Sequence, residues 1–187
     1  MKLLTPSDGY PESYWLSYDH TNNLDHLEFN TCKKLSATGA KPKVTLTKKI
    51  SLSTFRQYDY FFSDGPDLVG AKLAEIINSS TFASDVQLIC ADVMINGKSY
   101  DDYFIINYLR SERAFDMTSS SYKSLIKSTP DGPKKFSRIV LLDKIPKSGM
   151  FRASESNSHV VVSDDVAEHF KNNSVRGVEF CSEKDNM

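Results

Sequence analysis

The clearest change of hydrophobic period in the chain lies between His159 and Phe180. His159-Val160-Val161-Val162 is a β-branched run, as in a strand. Ser163 follows as a helix N-cap, with Asp164 and Asp165 suited to the positive end of the helix dipole. Gly177 then punctuates before Val178-Glu179-Phe180, so the pattern predicts strand, capped helix, strand. A looser copy runs from Tyr60-Phe61-Phe62 through Ser63-Asp64 and a helical stretch reaching about Asn78, to a strand from Val86. In that helix Val69, Leu73, Ile76 and Ile77 fall on one face, with Pro66 in the first turn.

Strict alternation from Lys43 to Lys48 predicts a half-buried strand with its lysines outside. Val86 to Ile95, the turn signal Asn96-Gly97 and Tyr103 to Leu109 predict a β-hairpin with Lys98 and Ser99 at its tip and Asp101 and Asp102 at its base. Further strands are expected at Ser13 to Tyr18, Arg138 to Leu142 and Met150 to Arg152. Trp15 is expected as a core or lobe anchor, with a binding role as the alternative. Residues 1 to 11 read as an irregular lead-in. Ser111 to Thr129 reads as a short strand or turn and then one or two helical turns, and Pro130 to Pro133 as a turn. The fold class expected is α+β: a mixed or antiparallel sheet with a few short helices and a duplicated strand-helix-strand unit.

Charge adds a boundary. Lys33, Lys34, Lys41, Lys43, Lys48, Lys49 and Arg56 meet no acid between Cys32 and Arg56, whereas Asp59, Asp64, Asp67, Glu75, Asp85, Asp92, Asp101 and Asp102 dominate the next segment. The switch is expected to divide the chain into a strand-rich N-terminal lobe or extension (1–56), a main α+β domain (57–181) and a frayed tail (182–187). The basic segment is read first as a solvated strand edge, and alternatively as an anion- or nucleic-acid-binding face. Over the whole chain the formal net charge is −1 and 40% of the 187 residues are hydrophobic, so nothing global calls for nucleic acid or a membrane.

Candidate chemistry is sparse. Cys32, Cys90 and Cys181 are scattered and fit a reduced compartment, and no secretory or membrane-spanning run is present, which suggests a cytoplasmic protein. His20, His26, His159 and His169 show no metal-ligand spacing, and no glycine-rich phosphate loop or nucleophile elbow occurs. The reading is therefore of a binder without catalytic residues, metal or cofactor. An enzyme assembled around His159 or His169 is the alternative.

Three runs, YFFSDGPDLVGAKLAEII, DYFIINYLRSERAFDMTSSSY and RIVLLDKIPKSGMFRASESNSHVVVSDDVAEHFKNNSVRGVEF, resemble the α+β immunity proteins of bacterial polymorphic toxin systems over about Tyr58 to Phe180. The likeness is most specific over GMFRASESNSHVVVSDDVAEHF…GVEF, with the Phe151-Arg152 pair before the last helix, the order strand, turn, strand, helix, and the Gly177 to Phe180 ending. The resemblance implies an antidote that binds a cognate protein toxin, and it names no catalytic residues. Asp92, Asp101 and Asp102 are the expected toxin-facing residues, by complementarity to a basic toxin groove. Self-association and the toxin's activity are left open.

Overall fold

The computed structural model describes residues 1–36, 39–126, 128 and 132–185. The strands, in chain order, are β1 (Lys2–Pro6), β2 (Leu16–Tyr18), β3 (Lys43–Leu46), β4 (Tyr60–Phe61), β5 (Leu68–Gly70), β6 (Val86–Ile95), β7 (Lys98–Tyr108), β8 (Ser111–Glu112), β9 (Ser121–Ser124), β10 (Lys134–Val140), β11 (Met150–Ala153), β12 (Ser156–Val162), β13 (Val178–Cys181) and β14 (Glu183–Asp185). The α-helices are α1 (Leu52–Phe55), α2 (Ala71–Asn78) and α3 (Asp164–Asn172).

The strands form three sheets, in the orders β2-β3-β6-β7-β5-β4, β13-β1-β12-β11-β8 and β14-β10-β9. Most pairings are antiparallel, with β3 parallel to β6 and β8 parallel to β11. The fold is therefore α+β with mixed sheets. Alternation on single strands places apolar groups on both faces of the two larger sheets. On β7, Ile106 and Tyr108 enter the core shared with α2 and α3, while Tyr103 and Ile105 enter a second core with Phe55, Leu16 and Val44. On β12, Val160 and Val162 join the first core and Val161 a third, with Phe115, Phe136 and Phe151. Burial on both faces explains why these strands read as apolar runs.

The β6–β7 hairpin forms as the turn signal predicts. Asn96 and Gly97 both take positive φ, 50° and 77°, the backbone of a two-residue turn that follows the strand twist. The closing unit also forms as predicted. Ser163 Oγ accepts from Val166 N at 3.2 Å, and Val166 and Phe170 are the buried face of α3.

Elsewhere tertiary pairing overrides local pattern. The supposed lead-in contains β1, whose Leu3 and Leu4 face different cores and whose partners are β12 and β13. The strand expected at Ser13 to Tyr18 begins with a 3-10 turn and pairs only over β2. Trp15 is 43% exposed, not a core anchor. The duplicated unit is not duplicated: after β4 the chain turns at Ser63 to Pro66, adds β5, and enters α2 only at Ala71. Val69 lies in β5, Pro66 precedes the helix, and the N-cap is Gly70, without a side-chain cap. The helical turns expected near Tyr122 are replaced by β9, which pairs with β10, so that Tyr122 sits opposite Phe136. The supposed frayed end contributes β14, paired with Arg138 to Val140. The turn expected at Pro130 to Pro133 lies partly outside the described residues. The residues before Arg56 contribute β1 to one sheet and β2 and β3 to another.

Candidate functional site

Gly177 helps draw three distant segments together. Its φ is +106°, and a Cβ there would collide with the Tyr60 carbonyl and lie 3.1 Å from Tyr58 Cδ1. This close approach lets the Arg176 carbonyl accept from Asp59 N at 3.0 Å and Tyr60 N at 3.1 Å. The buried Asp59 carboxylate returns the contact, accepting from Arg176 N at 2.8 Å and Lys72 Nζ at 3.3 Å. The Asp59 carbonyl also accepts from Gly70 N at 2.9 Å. One residue thereby joins the exit of α3, the approach to β4 and the start of α2.

Beside this junction lies a cleft of about 220 Å³, lined by Arg56, Tyr58, Asp59, Lys72, Asp102 and Tyr103 among others. Arg56 Nη2 is 2.6 Å from Asp102 Oδ2, and the guanidinium stands 5.5 Å from the Tyr100 ring centroid. On the other side Tyr58 meets the Arg176 guanidinium at 5.8 Å, Tyr14 at 4.9 Å and Tyr10 at 5.4 Å. Tyr10 in turn packs edge-on to the half-exposed Trp15 at 6.4 Å. Tyr, Trp and Arg grouped in this way are the residues that dominate binding energy in protein interfaces.

The three expected acids separate in role. Asp102 lines the cleft in its pair with Arg56. Asp101 is 3.0 Å from Lys41, which holds its exposed carboxyl below the ordinary carboxylate range. Asp92 is on β6, where Ser99 Oγ donates to its carboxylate and its own N–H donates to Pro42 O at 2.8 Å. Two cations of the basic segment thus serve two acids of the hairpin. Sequence reasoning saw opposite charges in successive segments without seeing that they meet. It missed Tyr58, Lys72 and Arg176 altogether, because no spacing links positions 58, 72, 102 and 176.

A larger groove, about 790 Å³, includes Phe82, Asp85, Arg110, Glu112 and Ile145 in its lining. Two of its carboxylates, Asp85 and Glu112, are occupied by backbone. Asp85 accepts from Gly149 N at 2.7 Å and Met150 N at 3.3 Å, and Glu112 from Ser148 N at 2.8 Å and Lys147 N at 3.1 Å. Burial pulls the Glu112 carboxyl upward, but the hydrogen bonds from Ser148 and Lys147 outweigh it and the net displacement is downward. These acids fix the loop that leads into β11. His159 is held by Ser156 Oγ at 2.8 Å beside Phe115, and His169 lies 5.7 Å from Phe82; neither lines either cavity.

Among the described residues no three His, Cys, Asp or Glu side chains converge as metal ligands, and no helix is long and apolar enough to cross a membrane. Comparison with curated proteins finds no match. The profile of the immunity protein family Imm11 matches residues 60–185, from β4 through β14; Lys72, Asp102, Arg176 and Gly177 fall inside the match, and Arg56, Tyr58 and Asp59 just before it. The chain belongs to the Imm11 family of immunity proteins.

Proposed function

We propose that the protein is an antidote that binds a cognate bacterial toxin domain one to one in the cytoplasm and blocks it by covering its active site or an essential surface. Family membership carries this reading. In it the protein acts without catalysis or cofactor, because an inhibitor of this kind needs only a complementary surface, on the order of 800 Å² per partner. The surface we assign is the Arg56–Tyr58–Asp102 cleft with Trp15 at one end and the Asp92 and Asp101 rim of the hairpin at the other. Lys41 and Arg56 offset the acids there, so recognition depends on local charge pairs and aromatic anchors more than on net acidity. The same pairing counts against the alternative in which the basic segment is a nucleic-acid face.

Co-expression with the toxin domain encoded beside this chain tests the reading. Relief of toxicity and a one-to-one complex on a sizing column are expected. Unrelieved toxicity with no complex would overturn it. Within the complex, Trp15→Ala should weaken binding by about 2 kcal/mol while leaving the thermal unfolding of the free protein nearly unchanged. An unchanged Kd would remove Trp15 from the interface.

A further inference from the structure

The sheet β14-β10-β9 ends on one side in a strand with no neighbour among the described residues. Around it are three large apolar side chains open to solvent: Tyr122, Leu125 and Ile126, exposed by 42%, 61% and 50%. Lys123 on β9 stands directly opposite Lys135 on β10. Like charges in facing positions destabilise a strand pair, and neither lysine is in an ion pair with a described residue. Lys134, next along β10, reaches the Gly132 carbonyl, at 3.3 Å, and the Tyr122 ring, at 5.9 Å, and no carboxylate among the described residues.

The other side of β10 shows how this sheet accommodates such charge. There the strand beside it is β14, Glu-Lys-Asp in sequence, and Glu183 Oε2 lies 3.1 Å from Arg138 Nη2. An acidic strand thus already completes one side of basic β10. On the other side β9 carries Lys123, which like Lys135 opposite it on β10 has no ion-pair partner among the described residues, and an edge with no described neighbour.

We propose that the free edge of β9 is a docking site for an acidic, extended segment of a protein partner, added to the sheet as a further strand. Main-chain hydrogen bonds to β9 supply affinity in this mode. Carboxylates of the added strand neutralise Lys123 and Lys135, and its apolar side chains cover Tyr122 and Leu125. Pairing of β9 with the β9 of a second copy is disfavoured, since it would bring further lysines together. The proposal involves a surface separate in residues from the cleft around Arg56 and does not depend on it.

The test uses the full chain and a fluorescent eight-residue peptide alternating Glu with Val, read by anisotropy. Saturable binding that weakens with salt is expected, with a loss of about tenfold or more in the Lys123→Glu/Lys135→Glu double variant. A peptide of the same sequence, N-methylated at alternate residues, should bind weakly, because it cannot complete the ladder. No binding, equal binding of the methylated peptide, or equal binding by the double variant with an unchanged unfolding curve would each overturn the proposal. So would displacement of the peptide by an equimolar single-stranded oligonucleotide, which would make the site a phosphate surface, or concentration-dependent dimers that the peptide does not dissolve.

Discussion

Ser63-Asp64 and Ser163-Asp164 are the same dipeptide after the same kind of strand, and the structure uses them for opposite purposes. Ser163 accepts from Val166 N and starts a helix. Ser63 accepts from Gly65 N at 2.9 Å and donates to the Pro66 carbonyl at 2.7 Å, which closes a turn instead. The acids diverge as well. Asp164 belongs to the first turn of α3, whereas Asp64 leaves its own segment to accept from Tyr18 N at 2.7 Å and Ser17 Oγ at 3.2 Å on β2. The residues just after each pair decide between these outcomes. Asp-Val-Ala continues into a helix, while Gly-Pro stops one, and Gly65 lets the turn sit where a Cβ would be 2.8 Å from Tyr18. A cap signal is therefore a statement about the next four residues as much as about the cap.

The largest expected effect lies at the end of the closing unit. Gly177→Ala places a methyl group against the Tyr60 carbonyl at a left-handed φ and should destabilise the protein by about 3 kcal/mol or more in urea unfolding. Gly9→Ala is the control, since Gly9 has φ +68° but open space around its Cβ position, and it should cost about 1 kcal/mol. Equal losses would mean that backbone strain alone, not the junction with Tyr60 and Asp59, makes position 177 require glycine.

The next effect belongs to the turn unit. Tyr60 Oη donates to Asp67 Oδ2 at 2.7 Å and is 2.9 Å from Tyr108 Oη. Burial lifts the Asp67 carboxyl from near 3.8 to about 6, against the opposing pull of the Tyr60 hydrogen bond and the Arg152 charge. With the folded value above the unfolded one, the unfolded chain releases the proton first as pH rises. Stability from this group is thus complete below about pH 4 and is lost between about pH 4 and 6. Asp67→Asn keeps an acceptor for Tyr60 and does not titrate. It should be more stable than the natural chain by on the order of 2 kcal/mol at pH 7, with the advantage vanishing near pH 4. A difference independent of pH would show that Asp67 binds its proton equally well in the folded and unfolded chains, and so is not shifted by burial.

These contrasts also mark how far local pattern reaches. The β6–β7 hairpin and α3 were legible because their determinants are contiguous: Asn96-Gly97 sets one turn, and Ser163 through Phe170 contains its own cap and buried face. β1 was not, because Leu3 and Leu4 face two cores and its partners lie in β12 and β13 at the far end of the chain. β9 was not, because Tyr122, Leu125 and Ile126 have helical spacing, while its pairing with β10 is a tertiary fact. Of the cleft, Asp102 and the change of charge sign near Arg56 were visible. The Arg56–Asp102 pair and the Asp59–Arg176 junction need the folded sheet to bring them together.

The smallest effect separates the two serines most cleanly. Aspartate is as good an N-cap as serine, so Ser163→Asp should leave stability within about 0.5 kcal/mol, while Ser163→Ala should cost about 1 kcal/mol. At position 63 the hydroxyl must donate as well as accept, and a carboxylate cannot donate to the Pro66 carbonyl. The site is also buried, and Asp64 and Asp67 are close in sequence. Ser63→Asp should therefore cost about 1–2 kcal/mol where its counterpart costs almost nothing. Urea midpoints of the two variants, measured side by side at pH 7, decide the matter. Equal tolerance at both positions would mean that Ser63 acts as an acceptor only, and that Gly65 and Pro66 make the turn without it.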